Sequence, residues 1–202
     1  DEVIEKMRKI LKVMISAANE GMEKEVYSVS GLIGGDAFKI HSYAKGGKTL
    51  TGEVTNMAMA MALSSSEVNA SMGKIVACPT AGSCGILPAV ILAAGNKLEL
   101  EEDGLLKGLL AASAVGIIIG LNATLSGAEG GCQAECGSAS AMGAAAVVEM
   151  LGGTPEMSLD AAAIILKNVL GLVCDPVAGL VEIPCAKRNA QGAITALCAV
   201  FK

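Results

Sequence analysis

The sequence predicts a mostly α-helical protein, a single compact helical domain whose Gly/Pro-rich loops carry the site. Two observations lead there. More than half of the 202 residues are apolar, yet only two Phe and two Tyr occur and Trp is absent. The core must therefore be built from Ala, Leu, Ile, Val and Met, with Gly permitting close approach, whereas a β-sandwich wants more aromatic and β-branched side chains. The second observation is negative: strands and helices do not alternate regularly, so a doubly wound sheet lacks support, and there is no internal repeat. At this length residues 1–202 form one domain able to bury a substantial core.

Residues 3–18 place Val3, Met7, Ile10, Met14 and Ala17 at alternating spacings of four and three. This is an amphipathic helix with Glu5, Lys6, Lys9 and Lys12 on its wet side, ended by Gly21. The stretch 30–52 reads as a turn-rich link broken by Gly34-Gly35. A second helix covers 53–71, where Ala and Met outweigh a strand-like alternation. Residues 74–95, "KIVACPTAGSCGILPAVILAAG", are an apolar run, a Gly/Ser/Thr loop and a second apolar run. Helices follow over 102–121, 136–151, 159–170 (capped by Ser158, stopped by Gly171) and 186–200.

Several function classes drop out. The net charge is −5 and no basic cluster carries interleaved aromatics, which speaks against nucleic acid. The strongly apolar run Leu109–Leu121 is 13 residues long and ends at Asn122. A membrane span needs roughly 20 apolar residues, so a buried core helix is expected and no membrane. Asp1–Lys12 is charged and amphipathic, unlike a secretory signal, and the cytoplasm is the expected compartment.

Seven cysteines need a reason: Cys78, Cys84, Cys132, Cys136, Cys174, Cys185 and Cys198. Buried hydrophobe, disulfide partner and metal ligand are all open readings. The lack of a C-x2-C pair, with His41 the one histidine, argues against zinc. Three stretches could carry chemistry. In Pro79–Gly85, small residues let backbone approach a ligand, a following helix start favours an anion, and Thr80 and Ser83 add hydroxyls. There is no G-x4-G-K-S/T or G-x-G-x-x-G pattern, so nucleotide binding is not indicated. In Gly130–Gly137, Cys132 lies at or before a helix start, while Cys136 points into the bundle; one ligand and one core cysteine is the reading. In Gly171–Ala190, Asp175-Pro176 ends the preceding helix and Pro184 opens the next. Cys185 then occupies a first turn, where the dipole favours thiolate, as suits a metal ligand.

Together, "SGLIGGDAFKI" (30–40), "EVNASMGKIVACPTAGSCGILPA" (67–89), "GCQAECGSASAMGAAA" (131–146) and "GLVCDPVAGLVEIPCAKRNA" (171–190) resemble the iron–sulfur-dependent L-serine dehydratases (L-serine ammonia-lyases), specifically the α subunit or α domain. The resemblance implies a 4Fe–4S cluster held by Cys132, Cys174 and Cys185, at the family's own separations of 42 and 11. It implies an open iron acting as Lewis acid on the L-serine hydroxyl, without pyridoxal phosphate, giving pyruvate and ammonia. Thr80, Ala81, Gly82 and Ser83 match the family's substrate-anchoring segment, with Thr80 and Ser83 candidates for catalysis. A β subunit or domain with a Ser-Ser-Ser-His-Thr motif is the implied partner, in an oligomer. That motif is absent here: "LSSSEVNAS" (63–71) has Glu67 where the histidine would stand. The chain ends at Phe201-Lys202 inside a predicted helix, so a C-terminal portion is expected to be missing. The rival readings are a cysteine desulfidase-type lyase with a similar cluster and a non-catalytic helical scaffold with buried thiols.

Overall fold

The computed structural model describes residues 2–200; Asp1, Phe201 and Lys202, and with them the expected helical ending, lie outside the described residues. Eight helices follow one another: α1 (Glu2–Glu23), α2 (Asp36–Lys45), α3 (Gly52–Ala70), α4 (Ile86–Lys97), α5 (Glu102–Asn122), α6 (Gly127–Met150), α7 (Pro155–Asn168) and α8 (Glu182–Cys198). No strand occurs among the described residues, only two isolated bridges, Tyr27 with Gly34 and Val177 with Leu180. The mostly α expectation holds. Helix α4, buried along ten of its twelve residues, lies among α3, α6 and α8. Helices α1 and α2 flank α3, and α5 and α7 flank α6.

Small side chains set this packing. Gly21 does not end α1, as its sequence position suggests. The helix runs on to Glu23 because the Ser64 hydroxyl of α3 wedges against it, accepting from Gly21 N–H at 2.7 Å and donating to Ala17 C=O at 2.6 Å. A methyl group at Gly21 would come within 3.0 Å of the Ser64 Cα, so glycine serves close approach there and not chain termination.

Helix α2 lies inside the stretch that reads as a link. It is short, and Gly35 before it is left-handed at φ 72°, so nothing local announces it. A tertiary contact supplies its cap: Glu67 Oε1, on α3, accepts from Asp36 N–H at 2.7 Å and Ala37 N–H at 3.2 Å. Helix α7 starts earlier than expected, on Thr154, whose hydroxyl accepts from Met157 N–H at 3.3 Å with Pro155 in the first turn. Ser158 is buried inside it. That helix ends at Asn168, well before Pro176, so the proline does not terminate it.

Helix α5 corrects the expectation of a buried core helix. Leu106, Leu109, Ala112 and Val115 face inward, but Ile117, Ile118 and Leu121 are exposed. It is long and apolar enough to cross a membrane by length and composition, with 28 % of its most apolar stretch buried. The run is apolar all round, yet the helix sits in the outer layer, so only one face finds partners.

Glu67 carries a testable cost. It is 1 % exposed and its Oε2 has no partner, and this burial pushes its carboxyl up to about 7 against the lowering from the two amides. A pKa raised on folding means the folded state holds the proton more tightly. The associated stability is complete below the unfolded carboxylate value and is lost as pH rises through about 7. Denaturation midpoints should thus fall between pH 4.5 and 7 in the wild type. In Glu67→Gln this part of the slope should vanish; an unchanged slope would refute the assignment.

Candidate active site

Three chain segments meet where the sequence reading placed ligands. Helix α6 begins nine residues earlier than expected but is broken at Gly131, with φ 75° and ψ −179°. Cys132 therefore opens its straight part. The break admits the 171–174 segment: Gln133 N–H donates to Leu172 C=O and Gly171 N–H donates to Gln133 Oε1, both at 2.8 Å. A Cβ on Gly131 would stand 2.9 Å from Leu172 O and 3.6 Å from Cys174 N. Glycine is required here twice, for its backbone angle and for that approach. Cys174 is thereby carried beside Cys132.

Cys185 joins from the first turn of α8, which starts at Glu182. Three residues on, Arg188 Nη1 lies 3.0 Å from Cys132 Sγ and 2.6 Å from Asp175 Oδ1. One guanidinium thus ties the three cysteine-bearing segments together. Burial pushes the Cys185 thiol up to about 12, with the charges of Glu135, Cys132 and Cys174 acting the same way. The expectation that the helix start favours thiolate is overridden by desolvation. Cys132 is also raised by burial, against the lowering by Arg188.

The other four cysteines separate cleanly. Cys78, Cys84 and Cys136 are buried in the core and burial drives their thiols upward. Cys198 is exposed in the last turn of α8. All seven are free thiols, so the disulfide reading falls.

The loop 79–85 packs against this centre, pinned by side chains from three helices. Asn69 of α3 donates to Ala81 C=O at 3.1 Å. Asn189 of α8 donates to Gly82 C=O and Cys185 C=O at 2.7 Å each, and its Oδ1 accepts from Gly85 N–H at 2.8 Å. Glu135 of α6 accepts the Thr80 hydroxyl proton on Oε1, and Thr80 Oγ1 lies 2.9 Å from Ser83 Oγ. Among the described residues no protein acceptor takes the amides of Ala81 and Gly82. A cavity of about 260 Å³ opens here, lined among others by Ile33, Asn69, Ala81, Gly82, Glu182 and Cys185.

Thus the structure brings Cys132, Cys174, Cys185 and the Thr80–Ser83 loop together. Sequence reading missed Glu135, Arg188 and Asn189, each of which acts on a segment far away in sequence. Among the described residues, no three Cys, His, Asp or Glu side chains stand close enough to share one metal ion.

The family model described as serine dehydratase alpha chain matches residues 1–201. The chain is 51 % identical over 199 residues to the probable L-serine dehydratase, alpha chain, of Bacillus subtilis, covering 98 % of this chain and 66 % of that one. It is 52 % identical over 196 residues to the L-serine dehydratase, alpha chain, of Peptoniphilus asaccharolyticus, covering 97 % and 67 %. To the L-serine dehydratase of Streptomyces coelicolor it is 41 % identical over 206 residues, 98 % of this chain and 44 % of that protein. The chain thus spans about two thirds of the two alpha chains and less than half of the Streptomyces protein.

Proposed function

Because the chain belongs to the serine dehydratase alpha chain family, we propose that it is the cluster-bearing part of an L-serine ammonia-lyase, converting L-serine to pyruvate and ammonia. The observation that carries this is the convergence of the segments bearing Cys132, Cys174 and Cys185, tied by Arg188 of α8 to Cys132 and Asp175, against a loop with open amides. The donor set fits an iron–sulfur cluster in kind: three thiols and no histidine, beside a cation that stabilises thiolate.

When bound, the 4Fe–4S group supplies a Lewis-acidic iron that makes the β-hydroxyl a better leaving group. The protein's own residues do the rest. The Ala81 and Gly82 amides, just ahead of the α4 N-terminus, receive the substrate carboxylate. Asn189 fixes their spacing from Cys185, and the cavity of about 260 Å³ holds a substrate of amino-acid size. Exposed Val29, Leu32, Val173, Val177, Leu180 and Val181 are apolar neighbours of the site's loops, as suits cover by a β subunit or domain.

The test is anaerobic reconstitution of the full enzyme with iron and sulfide, assayed for pyruvate from L-serine and for sulfide release from L-cysteine. Pyruvate from serine, lost on iron chelation, is expected. Preferential sulfide release would move the reading to a desulfidase, and no bound iron would leave a helical scaffold.

A further inference from the structure

Arg188 meets the cysteine centre in a way that tying segments together does not by itself explain. Its side chain is 13 % exposed. A guanidinium keeps its charge at any working pH and has donors alone to offer. Nη1 carries two hydrogens, and two contacts use them: one with Asp175 Oδ1 at 2.6 Å and one with Cys132 Sγ at 3.0 Å. The neighbouring Lys187 turns away to Asp36 Oδ2 at 2.5 Å. Helix α8 thus delivers one cation to α2 and the other to the cysteines.

A thiol sulfur is a weak acceptor and gives such a donor little. A thiolate turns the same contact into a charge-assisted hydrogen bond, roughly twice as strong as a neutral one. Asp175 does not use up the guanidinium charge, because it is 57 % exposed and water answers much of its own. Cys132, by contrast, is 1 % exposed, so the positive charge acts on its sulfur with little screening. The charge of Arg188 also bears on Cys185, three residues before it, and Glu135 opposes it at both cysteines.

We infer that Arg188 tunes the iron–sulfur group: its hydrogen bond to Cys132 Sγ draws negative charge off the ligand sulfur, leaving the irons electron-poor and the reduction potential raised. The inference rests on the cluster reading above. Potentials of such groups follow net charge and hydrogen bonds to the ligand sulfurs, and contacts behind a ligand alter how strongly it donates. An electron-poor iron is also the stronger Lewis acid. Arg188 acts through Cys132, as a positioning residue and not a catalytic one.

The test is an anaerobic redox titration of the full iron-loaded enzyme with its partner subunit. Dithionite, oxidised to sulfite, gives one electron to each 2+ cluster and leaves it 1+; absorbance and electron paramagnetic resonance read the midpoint. Arg188→Gln should shift this equilibrium about tenfold or more toward the oxidised form, a fall of about 59 mV or more, at wild-type iron content. Asp175→Asn, which leaves the guanidinium charge to Cys132, should show no such fall. An equal fall in both variants would make Arg188 a structural tie and overturn the inference. A shift below about twofold in iron-loaded Arg188→Gln overturns it as well, with the cluster reading intact. A wild type that takes up no iron removes the cluster reading and the inference together. If Arg188→Gln loads no iron, Arg188→Lys decides, since a point charge on a shorter side chain holds the sulfur less closely. A shift of about twofold or more in the same direction supports the inference; an unchanged midpoint, or no iron there either, overturns it.

Discussion

Cys174→Ser is expected to give a folded protein that has lost both its iron–sulfur absorbance and its pyruvate-forming activity, whereas Cys136→Ser keeps both. The contrast follows from where the two thiols sit. Cys174 is exposed on a loop whose attachment to α6 runs through Leu172, Gly171 and Gln133. Its sulfur therefore contributes nothing to folding that serine would remove. Serine keeps the shape but is a poor ligand for iron, so retention should fall at least about tenfold, as for other losses at metal sites. Cys136 is 3 % exposed among small core residues, with its thiol pushed far up by burial. Its replacement should cost some stability and no iron. Iron-to-protein ratio, visible absorbance and pyruvate formation check the pair. Full iron in Cys174→Ser would remove that residue from the ligand set.

Asn189→Ala should be the most damaging single change to the scaffold of the site. The side chain is fully buried and makes three hydrogen bonds, to Gly85 N–H, Gly82 C=O and Cys185 C=O. Truncation strands these groups where water does not replace the amide. Each unsatisfied buried group costs about 1–3 kcal/mol, and partial relaxation brings the total to about 3 kcal/mol. For a chain of this size that is a fall in melting temperature of about 6–12 °C. The loop and Cys185 would also lose their common anchor, so KM for serine should rise in the loaded enzyme. A helix-monitored melt within about 2 °C of wild type would show that Asn189 is not the pin.

The sequence was most readable where periodicity and burial agree. The α3 and α5 ranges match their expected spans to within a residue. The misses share a cause. Helix α2 depends on a carboxylate from α3, and α1 passes its glycine because a serine from α3 supports it. The early turn of α6, "GAEGG", has poor helix propensity and ends in the Gly131 break that receives the 171–174 segment. Each of these is decided by a neighbour remote in sequence, which local propensity does not encode. The same holds for the site. Resemblance placed the three cysteines and the Thr80–Ser83 loop, but Glu135 reaches Thr80 across 55 positions and Asn189 reaches Gly82 across 107. Only folding makes them neighbours.

An interior of alanine, leucine, isoleucine, valine and methionine is also optically dark. The chain has no tryptophan, and Tyr27 and Tyr43 are each 55 % exposed. Near-ultraviolet signals will therefore report the surface and say little of the bundle within. Any colour gained on loading with iron would stand against an almost blank protein background. Such a band would serve as an intrinsic, label-free gauge of whether the segments carrying Cys132, Cys174 and Cys185 have closed on one another.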